Sequence, residues 1–247
     1  MRQCALDYVG GMTATIQERV QCLPWERIGE SLWRNGFAVT PVVLDSSLCD
    51  DLSASYADDG AFRSHVVMAR FGFGRGEYKY FKYPLPEVVA ELRENLYPQV
   101  ARIANSWAPE AGEKLLPEKH SAYLRACHAA GQRKPTPLLL KYEPGDFNCL
   151  HQDLYGDIAF PLQVTVFLSR PGVDYQGGEF VLVEQRPRMQ SRAMVMTPNQ
   201  GEAVIFPTRY RLLRGTRGVY RTNLRHGVSE LRSGRRYTLG IIFHDAK

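Results

Sequence analysis

His151-Gln152-Asp153, followed far downstream by His226 and then by Arg236, is the part of the chain from which its architecture can be read. A histidine and an aspartate two residues apart, with a distal second histidine, outline a 2-His-1-carboxylate facial triad. Such a triad holds one face of an Fe(II) ion and leaves the other face open. Taken alone, His-x-Asp serves equally well as a polar pair that caps a turn. The surrounding residues give it weight.

Upstream, Leu138-Leu139-Leu140-Lys141-Tyr142 runs into Glu143-Pro144-Gly145-Asp146, a strand entering a turn. The ligand pair is therefore expected just past a strand end. Downstream, Gln163 to Ser169, Gly177 to Val183 and Gly201 to Phe206 are short β-rich runs bounded by glycine or proline. In the last run, Arg236 to Phe243, alternation sets Arg236, Thr238 and Gly240 on one face and bulky residues on the other. That face suits a charged ligand. Arg236, ten residues after His226, could take the far carboxylate of a dicarboxylate in a bidentate pair. Thr238 and Tyr142 could each add a hydroxyl contact.

With these residues in place, the sequence resembles the Fe(II)/2-oxoglutarate-dependent dioxygenases. Tyr142-x-Pro144-Gly145, Gly177-Gly178-Glu179-Phe180, Gly201-x-Ala203-Val204-Ile205-Phe206, His226-Gly227-Val228 and Gly234-x-Arg236-Tyr237 look like landmarks of that superfamily, in order. The resemblance implies a double-stranded β-helix, a jelly-roll or cupin-like barrel. It implies iron ligation by His151, Asp153 and His226, and 2-oxoglutarate binding by Arg236, Tyr142 and Thr238. Fe(II), 2-oxoglutarate and dioxygen are the implied cofactors. Asp153 also bears on the reaction: related halogenases have a small residue at that ligand, so an intact carboxylate implies hydroxylation.

A narrower resemblance spans nearly the whole chain. Phe62-Arg63-Ser64, Gly72 to Phe81, His151 to Gly156, Glu184 to Arg192 and Ile242 to Ala246 are similar to a bacterial oxygenase family predicted to demethylate damaged DNA bases by oxidation. The implied function is hydroxylation of N-methyl groups on nucleic-acid bases, a DNA-repair activity. The alternative is a peptide or small-molecule hydroxylase on the same scaffold, since one fold hosts many substrates.

The chain has 247 residues, 44% of them hydrophobic, enough for a substantial core in one catalytic domain over residues 14–247. Residues 1–13 read as a mobile tail without the pattern of a secretory leader. No apolar run approaches the roughly 18 residues of a membrane span. A cytoplasmic protein is expected. The five cysteines, Cys4, Cys22, Cys49, Cys127 and Cys149, form no Cys-x-x-Cys pair and read as free thiols.

The net charge of +5 is compatible with single-stranded or damaged DNA or RNA as a partner. Arg186, Arg188 and Arg192 fall in one expected loop. Arg209, Arg211, Arg214, Arg217, Arg221 and Arg225 crowd the approach to His226. They could track phosphates or pair with acidic neighbours.

Residues 14–136 read as a helix-rich buttress for a barrel formed by 137–247, an α+β arrangement. Thr15 and Glu18 form a capping box, and a helix interrupted at Pro24 continues to Gly36, with Trp25, Ile28, Leu32 and Trp33 inward. Phe37 to Val43 reads as a strand, and Ser46 to Tyr56 as a helix. Pro86 to Trp107 reads as helical, kinked or restarted at Pro98, and a last helix covers Glu118 to Ala130, with His120 and His128 as packing or surface residues. A hairpin near 63–81 brings Arg70, Arg75, Tyr78 and Tyr80 together, either as a substrate-covering lid or as an edge hairpin on the barrel.

Overall fold

The computed structural model describes residues 14–154, 156–216 and 218–247. The tail expectation for 1–13 lies outside them.

Helix α1 (Ile16–Gln21) opens with the expected capping box. Thr15 Oγ1 accepts from the Glu18 N–H at 3.2 Å, and the Glu18 carboxylate accepts from the Thr15 N–H at 2.8 Å. Two helix-end donors are thereby satisfied. Helix α2 (Trp25–Asn35) stops at Gly36 and buries Trp25, Ile28 and Leu32. The expected strand from Phe37 to Val43 shortens to β1 (Ala38–Val39), because Pro41 has no N–H to give a ladder. Asp45 caps α3 (Ser46–Ala54), accepting from the Leu48 N–H at 3.0 Å.

The segment 62–81 forms β2 (Phe62–Val67), β3 (Gly74–Arg75) and β4 (Glu77–Phe81). Helix α4 (Glu87–Ala111) then continues through Pro98 without the restart that proline could have imposed. Flanking Leu96, Tyr97 and Val100 are all buried, and their packing outweighs the one backbone bond that proline removes. Helix α5 (His120–Ala129) follows.

The remaining strands are β5 (Leu138–Tyr142), β6 (Phe147–His151), β7 (Leu162–Phe167), β8 (Tyr175–Gly177), β9 (Phe180–Gln185) and β10 (Arg192–Met196). After them come β11 (Ala203–Pro207), β12 (Tyr210–Gly215), β13 (Gly218–Val228), β14 (Leu231–Gly234) and β15 (Arg236–Ile241). They build two main antiparallel sheets, a larger one ordered β1-β11-β7-β15-β5-β4-β2 and a smaller one ordered β10-β9-β13-β6-β3, with β12 added to β13, while β14 and β8 pair as a separate two-stranded ribbon. From β5 onward the chain steps repeatedly from one sheet to the other. The sheets meet face to face where Phe180 of β9 packs on Phe167 of β7 and Phe206 of β11, at ring-centroid distances of 6.1 and 5.0 Å.

The outer face of the larger sheet is the core. Leu92, Leu96, Val100 and Ile103 recur along α4 at helical spacing and pack with Val164, Val166, Leu239 and Ile241. Each such side chain contributes about 1.5–3 kcal/mol by leaving water. Alternation then leaves the inner faces of β5, β7 and β15 to line a chamber between the sheets.

The core is fixed to α4 by one buried arginine. Arg93 donates to the carbonyls of Ile242 and His244, to Asp245 Oδ1 and to the Tyr83 hydroxyl, at 2.9 to 3.2 Å. His128 reaches the other Asp245 oxygen at 2.8 Å, and His120 Nε2 meets the Phe243 carbonyl at 2.9 Å. Both histidines pack, as expected. Among the described residues Cys49, Cys127 and Cys149 are free thiols, and no helix is long and apolar enough to cross a membrane.

Candidate active site

His151 is the last residue of β6, so the ligand pair begins on a second strand, beyond the turn that ends β5. The neighbouring β13 sets His226 opposite His151, with a register shift between His226 and Val228 of the kind that re-aims side chains. Asp153 follows two residues past β6. The three side chains converge. His151 Nε2 lies 3.5 Å from Asp153 Oδ1, and His226 Nε2 lies 3.2 Å from Asp153 Oδ2. One donor atom from each falls within 4.8 Å of the others, a cluster able to hold a metal ion.

Its electrostatics suit a cation. His151 Nδ1 lies 2.8 Å from the Cys149 carbonyl oxygen. A carbonyl only accepts, so Nδ1 carries a proton, and Nε2, the nitrogen turned toward Asp153, is the one a metal ion would take. Burial pushes the Asp153 carboxyl up, but the imidazoles of His226 and His151 set against it outweigh burial. The group sits well below its ordinary value and is a carboxylate. Burial, together with the charge on His151, lowers His226, which favours the neutral imidazole that metals bind. Phe206 and Phe180 flank the His226 ring at 4.8 and 5.9 Å and keep water from that side.

The chamber extends from this cluster as a cavity of about 300 Å³. Arg236, Thr238 and Tyr142 line one end, Arg236 lying opposite Tyr142 across β15 and β5. Arg236 is 1% exposed, and its Nε, Nη1 and Nη2 make no well-aligned hydrogen bond within the protein, with the Tyr175 hydroxyl beside the guanidinium. The rings of Phe167, Tyr142 and Tyr175 surround the guanidinium at 5.2, 5.3 and 5.9 Å. A buried cation with donors left over fits an anionic ligand. Burial, against the charge of Arg236, pushes the Tyr142 hydroxyl up to about 12, so it stays a neutral donor.

The hairpin expectation resolves toward its second form. β4 pairs with β5 and β2 with β4, so both arms extend the larger sheet. The tip is a pinned rim of the chamber. β3 pairs with β6, the Phe73 carbonyl accepts from the Cys149 N–H at 2.9 Å, and Gly72 and Phe73 line the opening. Gly74 permits this approach: at φ +120° a Cβ would meet the Phe147 carbonyl oxygen at 2.4 Å. Phe71 and Phe73 stack on each other at 5.6 Å and remain 59% and 47% exposed.

Tyr78 lines the chamber, whereas Tyr80 is buried beside it with Leu138 and Ile242. Arg70 and Arg75 are exposed near the rim. Arg186 pairs with Glu184, while Arg188 and Arg192 are exposed on and after the turn that follows β9. The arginines before His226 lie on the β12–β13 hairpin and several are paired: Arg211 with buried Glu184, Arg214 with Glu110, and Arg221 with Glu113. Arg217 lies outside the described residues. Sequence reasoning missed Gln163, Thr165 and Asn148, all of which line the chamber. The signal for the first two was present, since they alternate with Leu162, Val164 and Val166 along one strand.

Residues 76–246 match the model of the Oxygenase-NA family, described as an oxygenase catalysing oxidative methylation of damaged DNA. Two uncharacterised proteins of Mycobacterium tuberculosis, from strains CDC 1551 / Oshkosh and ATCC 25618 / H37Rv, are each 50% identical over 167 residues, 67% of this chain and 72% of theirs. Among solved structures, a prolyl-4-hydroxylase from Pseudomonas putida superposes with a TM-score of 0.54 at 14% identity, over 90% of this chain and 100% of that one. A prolyl hydroxylase from Trichoplax adhaerens, solved with a hypoxia inducible factor peptide fragment, gives 0.56 at 17%, over 93% and 92%. A 2OG-Fe(II) oxygenase family oxidoreductase from Burkholderia pseudomallei gives 0.50 at 16%, over 90% and 92%. At these identities the likeness is one of fold. The chain belongs to the Oxygenase-NA family, with the fold of those neighbours and a His-Asp-His cluster able to hold a metal ion.

Proposed function

We propose that this oxygenase hydroxylates N-methyl groups of damaged nucleic-acid bases, on a barrel whose strand order we read as a double-stranded β-helix. The observation that carries the cosubstrate assignment is Arg236, buried in the chamber with no well-aligned hydrogen bond from its three nitrogens to the protein. His151, Asp153 and His226 would hold Fe(II). Arg236 would take the distal carboxylate of 2-oxoglutarate, with Thr238 and Tyr142 as hydroxyl partners. With dioxygen, the bound iron and cosubstrate supply an oxidant while 2-oxoglutarate is converted to succinate and carbon dioxide.

The chain's own residues set the rest. The Cys149 carbonyl holds the His151 tautomer, and Phe180 and Phe206 exclude water beside His226. Insertion of one oxygen atom into a methyl C–H gives a hemiaminal, which loses formaldehyde and leaves the N–H base. Oxidation thus removes a methyl group, and the family description supports a damaged-DNA substrate in that sense. The exposed Phe71–Phe73 stack, with Arg70 and Arg75 nearby, suits a single strand whose bases stack and whose phosphates are anionic. A base leaving a duplex would cost a few kcal/mol, less when damaged or unpaired. Arg186, Arg188 and Arg192 form a second candidate contact for the strand, and Tyr78 lines the chamber with Tyr80 buried beside it.

The test is anaerobic loading with Fe(II) and 2-oxoglutarate, then oxygen in the presence of N-methylated single-stranded DNA, following succinate and formaldehyde together. Matched release is expected, and His226→Ala should abolish both. Succinate without formaldehyde would retain the oxygenase and reject the demethylase in favour of a peptide or small-molecule hydroxylase.

A further inference from the structure

Strand β7 has two faces. Leu162, Val164 and Val166 join the core beneath the helices, while Gln163, Thr165 and Phe167 face the space between the sheets. On that inner face Gln163 is 4% exposed, and its Nε2 has no hydrogen-bond partner. A buried amide without a partner forfeits the hydrogen bonds it made to water, so an apolar residue of the same length would serve a plain core better.

The sheet register locates this amide. Ile241 lies opposite Val164, which sets Gln163 beside Ile242, six residues along the chain from Arg236. At about 3.4 Å per residue the separation is roughly 20 Å, whereas a five-carbon diacid spans only about two residues of extended chain. A 2-oxoglutarate seated on Arg236 ends well short of Gln163. Between them Gly240 lies opposite Thr165 and keeps the wall clear, since a Cβ there would meet Leu138 Cδ2 at 2.6 Å.

From this placement we infer that Gln163, with Thr165 beside it, is the substrate-reading position of the chamber, and that its ligand is the hydrogen-bonding edge of a planar nucleobase. The inference rests on the demethylase reading above. A carboxamide presents an acceptor and donors side by side, the complement of the mixed donor and acceptor edge of a base. An unstacked base is recognised through that edge in an enclosed pocket. Leu138, Leu140 and Ile242 on the same wall supply apolar surface for the ring.

Gln163→Met keeps the length and removes donor and acceptor. Three readouts are compared with the unsubstituted enzyme. The KM for a single-stranded oligonucleotide carrying N-methylated adenine or cytosine should rise about ten-fold or more, the loss expected for one buried polar contact. Substrate-free conversion of 2-oxoglutarate to succinate should stay within about two-fold, because Arg236 and the triad are untouched. The Tm without ligands should hold or rise, because an unpartnered amide has been removed. A Tm lowered by several degrees would make Gln163 a structural residue and overturn the inference. So would an unchanged oligonucleotide KM in an enzyme that does demethylate the oligonucleotide. If the unsubstituted enzyme turns over another substrate and no methylated oligonucleotide, the base reading itself falls and takes the nucleobase edge with it.

Discussion

Arg93 and Arg236 are the two largest fully buried side chains among the described residues, and they differ in every respect except burial. Arg93 gives its donors to two carbonyls, a carboxylate and a tyrosine hydroxyl. Arg236 makes no well-aligned hydrogen bond to the protein, and the Tyr175 hydroxyl lies against it. A buried guanidinium is costly unless it is paired. The first pairing is internal and ties α4 to the end of the chain, and the second is left for a ligand. Burial alone therefore says nothing about role; the count of used donors separates clasp from site.

The largest effect is expected at the clasp. Arg93→Met leaves Asp245 buried without its guanidinium and should destabilise the fold by about 3–5 kcal/mol, read as a lower denaturant midpoint. A variant as stable as the parent would dissolve the contrast. Acid probes the same region. Burial, aided by the Arg93 charge, lowers His120 and His244 to about 4 each. Their folded values lie below the unfolded value of 6.5, so their contribution is complete above pH 6.5. It is lost as pH falls from 6.5 toward 4, where the unfolded chain takes protons that the fold refuses, on the order of 3 kcal/mol for each. Unfolding midpoints of metal-free protein that stay flat across that window would contradict the buried neutral imidazoles.

Arg236→Met should act in the opposite sense. Stability without ligands should hold, while 2-oxoglutarate binding weakens by about 1.5–3 kcal/mol, measured by calorimetry on anaerobic protein. A loss of stability with unchanged binding would make Arg236 a second clasp. The smallest effect belongs to exposed pairs such as Arg221 with Glu113. Arg221→Ala should shift stability by less than about 1 kcal/mol, and a larger change would show that the hairpin arginines act as a network.

The site was more legible than its surroundings. His151, Asp153, His226 and Arg236 could be singled out because ligand type, spacing and strand alternation are local properties of the sequence, and Thr15 with Glu18 announced a helix start in the same way. Strand β6 was missed because Phe147-Asn148-Cys149-Leu150 has no alternation of its own and becomes a strand by pairing with β13, some 77 residues away in sequence. Arg93 was invisible for a similar reason: between Leu92 and Glu94 it reads as any helix-surface arginine, and its partners lie about 150 residues downstream. Of the two readings open for the arginine run before His226, pairing with acidic neighbours holds for Arg211, Arg214 and Arg221, and sequence could not name the partners because Glu184, Glu110 and Glu113 lie on other elements.

Strand β15, with the two residues that follow it, is a party wall. Arg236, Thr238, Gly240 and Ile242 furnish the chamber, while Leu239, Ile241 and Phe243 belong to the core behind it. A change on either side moves the same backbone, and close-packed interiors transmit such shifts instead of absorbing them. Substitutions chosen to harden this protein against heat at 239, 241 or 243 will therefore register in cosubstrate affinity. An engineer who wants stability and turnover as separate dials should find them on α4, one layer further out, and leave every residue of this strand alone.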